Sequence, residues 1–128
     1  MRAQKIFRPL WILLIAWAPA CGKRTVTIDD AEKPATLTLQ APENVTSVEL
    51  HVRGLLSGTA RLKFHKPGDR TLPWRSLELL PVVVSGIPMG IAPAELIAEY
   101  DQRELFVVYE PAKKTQGHLE IEYRFKAR

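Results

Sequence analysis

Beyond its first twenty residues the chain alternates apolar and polar side chains with a period of two. The alternation is clear in Thr25-Val26-Thr27-Ile28, Thr36-Leu37-Thr38-Leu39, Val48-Glu49-Leu50-His51-Val52-Arg53 and Arg61-Leu62-Lys63-Phe64-His65. It is longest at the carboxyl end, where Leu119, Ile121, Tyr123 and Phe125 face one way and His118, Glu120, Glu122 and Arg124 the other. Successive side chains of a strand point to opposite faces, so each segment predicts a strand with one buried face. Trp74–Leu80 and Leu105–Tyr109 add two more, the second apolar enough for a central place in a sheet. Ala94–Tyr100 reads as a strand from its β context, with a short helix after Pro93 as the alternative. Turn formers such as Lys66-Pro67-Gly68-Asp69 separate the segments. The expectation is an all-β fold, a small two-sheet β-sandwich of about seven short antiparallel strands over residues 25–128, with an open barrel as the alternative.

Register follows from side chains where two strands are close in sequence. Val48–Arg53 and Ala60–His65 are joined through Gly54-Leu55-Leu56-Ser57-Gly58. Pairing Leu50 with Leu62 and Val48 with Phe64 unites the apolar sides and sets Glu49 opposite Lys63; a shift of two would oppose Arg53 and Arg61. A hairpin in the first register is therefore expected.

The first twenty residues break the pattern. Arg2, Lys5 and Arg8 precede the apolar run Leu10-Trp11-Ile12-Leu13-Leu14-Ile15-Ala16-Trp17-Ala18, and the small residues Ala18-Pro19-Ala20 follow it. Positive, apolar, then small is the order of an export signal. Nine residues of helix span about 14 Å, half of a ~30 Å hydrocarbon core, which argues against a permanent spanning helix. The signal also explains the charge. The chain carries 18 basic and 14 acidic residues, three of the basic ones lie in the signal, and no acid precedes Asp29. What remains is close to neutral, so the charge does not point to nucleic acid.

Cys21 is the sole cysteine and comes directly after the small residues. No intramolecular disulfide is possible, and a free thiol in an oxidising compartment is a liability unless modified. Ala18-Pro19-Ala20-Cys21 resembles the lipobox of bacterial lipoproteins, departing from it in having Ala18 where leucine is usual and in having Pro19. The resemblance implies acylation of Cys21 by fatty chains such as palmitate, residues 1–20 as signal peptide and 21–24 as a lipidated tether. It also implies the outer membrane, facing the periplasm, because Gly22 rather than aspartate follows the cysteine. Ala18-x-Ala20 equally fits an ordinary signal peptidase, which would release a soluble periplasmic or secreted protein.

Few residues suggest chemistry. His51, His65 and His118 lack metal-type spacing and read as polar-face residues of strands. Ser57, Ser76 and Ser85 lie in no nucleophile-elbow motif, and Gly86-Ile87-Pro88-Met89-Gly90 lacks the lysine and spacing of a phosphate loop. Asp101 and Glu104 read as a turn paired locally with Arg103. No catalytic residue, cofactor or metal is expected.

Two stretches suggest surfaces instead. Leu79 to Ala94 holds no charge and is broken by Pro81, Pro88, Pro93, Gly86 and Gly90. It reads first as a buried strand, Val82-Val83-Val84, with a covered loop; the other reading is an exposed apolar loop, with Ile87, Met89 and Ile91, contacting a partner or a membrane. Lys63, Lys66, Arg70 and Arg75 surround a turn carrying Trp74, which reads as a solvated loop or as a site for an anionic lipid or acidic protein. The candidate interaction surface is therefore Lys66, Arg70, Trp74, Arg75, Ile87, Met89 and Ile91. Together these features point to a membrane-anchored envelope lipoprotein whose non-catalytic domain binds another envelope protein, in an accessory, assembly or immunity/inhibitor role. The alternative is a small envelope enzyme or ligand-binding module with a site in loops 66–76 and 81–104.

Overall fold

The computed structural model describes residues 22–68 and 71–128. The fold is all-β, as the alternation predicts, and every strand pair is antiparallel. In chain order the strands are β1 (Arg24–Ile28), β2 (Ala35–Gln40), β3 (Val45–Leu56), β4 (Ala60–His65), β5 (Arg75–Leu79), β6 (Pro81–Val84), β7 (Ile87–Ile91), β8 (Ala94–Glu99), β9 (Glu104–Pro111) and β10 (Gly117–Ala127). Sheet A has the order β1-β10-β3-β8 and sheet B the order β2-β9-β4-β5. β6 and β7 form a separate two-stranded hairpin. Among the described residues eight strands build the sandwich and two stand outside it, ten against about seven expected, and the uncharged stretch supplies two of the ten. The strand expected over Ala94–Tyr100 is β8, ending at Glu99, and β9 is central in sheet B, both as read from the sequence.

The inward sides of the two sheets form one core. Leu50, Leu119 and Ile121 from sheet A and Leu62, Phe64, Leu79, Leu105, Val107 and Tyr109 from sheet B are fully buried. The Tyr109 hydroxyl donates to the Ala31 carbonyl at 2.7 Å, tying the link between β1 and β2 to the centre of sheet B. Burial, with a smaller contribution from the negative charge of Asp30, pushes this hydroxyl's pKa up to about 12.

The expected β3–β4 hairpin does not form. After Leu56 the chain crosses through Ser57-Gly58-Thr59 into the facing sheet, so Leu50 and Leu62 meet through the core rather than along a ladder. β3 pairs instead with β10, some seventy residues later, and with β8. The physical reason lies on the outward faces. The β3–β10 register sets Glu49 opposite Arg124 and Arg53 opposite Glu120, opposite charges on both rungs, with the polar His51 opposite Glu122, where the local hairpin offered Glu49 and Lys63 alone. Lys63 lies opposite Ser76 and Val108 and forms an ion pair with Glu110 at 3.0 Å.

The β3–β10 ladder also depends on glycine. Gly54 (φ +148°) and Gly117 (φ +132°) adopt backbone conformations that L side chains rarely take. A Cβ at Gly117 would strike the Leu55 carbonyl oxygen, and one at Gly54 the His118 carbonyl oxygen.

Candidate functional site

The hairpin β6–β7 interrupts the connection between β5, the edge of sheet B, and β8, the edge of sheet A. Its turn is Ser85-Gly86, with φ of 52° and 79°, between the paired residues Val84 and Ile87. Two central residues in the left-handed region are the signature of a tight hairpin turn whose twist suits the flanking strands. The ladder pairs Val82 with Gly90 and Val83 with Pro88, so Met89 is the extra residue of a bulge on β7.

Val82, Val83 and Val84 are consecutive, so they point to alternating sides, yet they are 41%, 50% and 55% exposed; Ile87 and Met89 reach 60% and 63%. A strand exposed on both sides lies against no layer. The reading of Leu79 to Ala94 as a buried strand with a covered loop is therefore corrected: the hairpin stands off the sandwich with its apolar residues in solvent. Charge-free sequence looks the same whether the body covers it or leaves it bare, and here the body's edges close without it. Contact with the sandwich is made by β7, which lies beside β3, and by the root. Ile91 packs against the core, Ala92 donates to the Leu80 carbonyl at 2.9 Å, and Gly90 lies against the Gly54 carbonyl of β3. Leu80, beside that root, is also half exposed.

Below the hairpin a groove of about 530 Å³ opens on the outward side of sheet A, bounded by Gly90, Ile91 and Pro93 of the hairpin root and by His51, Arg53, Glu95 and Glu122. Lys23, near the start of the described chain, lines the same groove. Several polar groups here are paired. Arg53 lies 2.7 Å from Glu122, and His51 bridges Glu49 at 3.4 Å and Glu95 at 3.2 Å. This ladder was illegible in the sequence because it is set by the pairing of β3 with β10 and β8.

Of the second predicted surface, Trp74 turns inward. Trp74 is half-buried and packs against the core, its ring 4.9 Å from that of Tyr100. Lys66 lies over the indole at 5.4 Å and Arg75 at 4.8 Å, so both cations are engaged by the ring they were expected to flank. The aromatic series continues from Tyr100 to Phe125 and Tyr123. Burial, and less strongly the negative charges of Asp101 and Glu104, pushes the Tyr100 hydroxyl well above the usual phenol range, and it donates to the Glu104 carbonyl. Glu104 itself accepts from Gln40 at 3.2 Å. Trp74 thus closes the end of the sandwich, with Lys66 and the exposed Arg75 over its ring, while Ile87 and Met89 are exposed and Ile91 anchors the hairpin root. Cys21 and Arg70 lie outside the described residues, as does the signal segment.

His65 departs from its expected place on a solvated face. It is only 6% exposed, on the outward side of sheet B beside a groove of about 320 Å³ lined also by Thr36, Thr71, Pro73 and Phe106. Thr71 and Pro73 lie over that face. His51 is half-buried and His118 exposed. Among the described residues, no group of three or more His, Cys, Asp or Glu is placed to hold a metal ion, and no helix is long and apolar enough to cross a membrane. No protein-family model matches the chain, and no curated protein is significantly similar to it.

Proposed function

We propose that this protein is a lipid-anchored bacterial envelope protein whose β-sandwich is a binding module rather than an enzyme, and that it engages another envelope protein through the hairpin β6–β7. The observation that carries the reading is the gathering of exposed apolar side chains on this hairpin. Val82, Val83, Val84, Ile87 and Met89 form a bare, charge-free element on a body whose other apolar residues are mostly covered. Patches of this kind on small proteins mark contact surfaces. β7 holds it beside β3 and its turn is exposed, which suits an element that docks. The anchor is supported by the order of charge, apolar run and small residues before the single Cys21.

Two experiments test the two halves of this reading. Cys21→Ala abolishes labelling by a fatty-acid probe and leaves an unprocessed precursor; a variant still processed to a soluble product of normal size overturns the anchor. Tagged protein extracted from membranes with detergent carries a stoichiometric envelope protein, and Ile87→Asp loses it while keeping the thermal midpoint. A partner retained by Ile87→Asp and Val83→Asp alike overturns the hairpin as the contact.

A further inference from the structure

We infer that Met89 is an oxidation site, and that conversion of its thioether to the sulfoxide by a peroxide turns off docking through the hairpin. The inference rests on the docking reading above and gives that surface a chemical control.

Accessibility comes first. Methionine is ordinarily among the residues that a core covers, yet Met89 is 63% exposed, more than any valine of the hairpin. The chain has one other methionine, Met1, so the sandwich and its hairpin hold a single thioether. A peroxide reaches it without any opening of the fold. Trp74, the one indole of the sandwich, is by contrast half-buried with Lys66 and Arg75 over its ring.

Place is the second argument. Met89 is the extra residue of the bulge on β7 and has no partner in the register with β6. A change in its side chain therefore leaves the rungs Val84–Ile87, Val83–Pro88 and Val82–Gly90 as they are, and the fold survives the modification. The surface is altered all the same. From Leu79 to Ala94 the Ser85 hydroxyl is the sole polar side-chain group. A sulfoxide adds a strong hydrogen-bond acceptor to this apolar stretch, and burying it against a partner that offers no donor forfeits its hydration. The thioether has the opposite property, because its flexible chain and polarisable sulfur fill irregular gaps in a contact. One oxygen atom thus separates an adaptable docking side chain from one that resists burial.

The step balances with the peroxide as sole co-reactant. A lone pair on Sδ attacks one peroxide oxygen, and the O–O bond breaks as the S–O bond forms. The displaced hydroxide takes the proton of the transferred oxygen and leaves as water. Sulfur is oxidised and the peroxide reduced by the same electron pair.

The test uses the full-length tagged protein, purified in detergent and treated with hydrogen peroxide. It is freed of peroxide before it meets a detergent extract of membranes, so the oxidant never touches the partner. Mass spectrometry finds one added oxygen atom on the peptide bearing Met89, the thermal midpoint is unchanged, and capture of the envelope partner falls about tenfold or more. Met89→Leu, which has no sulfur, keeps its partner through the same treatment. Met89→Gln, polar and of similar length, loses it without any oxidant. Methionine sulfoxide reductases for both epimers, with a dithiol as reductant, restore capture by the oxidised wild type. A Met89 that stays a thioether under peroxide overturns the inference, as does a sulfoxide form that captures its partner undiminished. A Met89→Leu variant that loses capture on treatment as the wild type does also overturns it, because the sensitive group then lies elsewhere. Failure of the docking reading looks different: there Ile87→Asp keeps the partner, whereas failure of the oxidation site leaves Ile87→Asp without a partner and the sulfoxide form with one.

Discussion

Trp74 and Val83 lie on either side of the short strand β5, and the structure treats them in opposite ways. Trp74 sits in a turn rich in cations and is half-buried, stacked near Tyr100 and covered by Lys66 and Arg75. Val83 sits in a stretch with no charge and is 50% exposed. The difference shows what local polarity does and does not decide. Long cations can lay their stems along an aromatic ring and keep their charge in water, so a basic neighbourhood is compatible with a closed structure. An aliphatic run has no such freedom: it is covered by another layer or it is bare. Whether a layer is available depends on how the sandwich closes elsewhere.

Substitutions separate the two regions by their effect on stability. The reference is the core they flank: Phe64→Ala, at a fully buried position of β4, costs about 3–5 kcal/mol in denaturant unfolding. Trp74→Ala follows at roughly 2–4 kcal/mol, because it removes the ring that Tyr100, Lys66 and Arg75 pack on. An unchanged unfolding midpoint there would make Trp74 a free surface residue and break the comparison. Tyr109→Phe costs about 1–2 kcal/mol at neutral pH by leaving the Ala31 carbonyl unpaired.

The same tyrosine sets an alkaline limit. Its folded pKa, near 12, is above the unfolded value of about 10, so its contribution is fully present below pH 10 and is lost as pH rises through 12. Tyr100 and Tyr123 are shifted in the same direction, chiefly by burial. The thermal midpoint of the wild type therefore falls across that window, and Tyr109→Phe flattens part of the fall. The smallest effect belongs to the hairpin: Val83→Ser changes stability by less than about 0.5 kcal/mol, since Val83 packs on no layer. A loss as large as that at Trp74 would mean that the hairpin is part of the core.

Legibility in the sequence follows the range of the interactions involved. The terminal alternation from Leu119 to Phe125 names a strand and its buried side without reference to any partner, and β10 has that side inward. The partner of a strand is a different matter. The alternation of Val48 to Arg53 is satisfied by a neighbour in the same sheet or by a sheet across the core, and only the charges of β10 and β8, far along the chain, separate the two. His65 shows the same limit, because Thr71 and Pro73, which line its groove, lie in no strand and leave no periodic trace. Of the candidate surface, Ile87 and Met89 were identifiable as apolar residues in a charge-free stretch, but their exposure was not.

What the amino-acid order determined by itself was the all-β class, the inward sides of β1, β2, β3, β4 and β10 and the separate character of the first twenty residues. Each is a property of side chains spaced within one element, where polarity and backbone periodicity act directly. Tertiary structure alone decided that β3 crosses to face β4 instead of pairing with it, that Trp74 closes the sandwich, and that β6–β7 stands uncovered. Those outcomes depend on long-range strand pairing and on which surfaces remain once both sheets have closed over a single core.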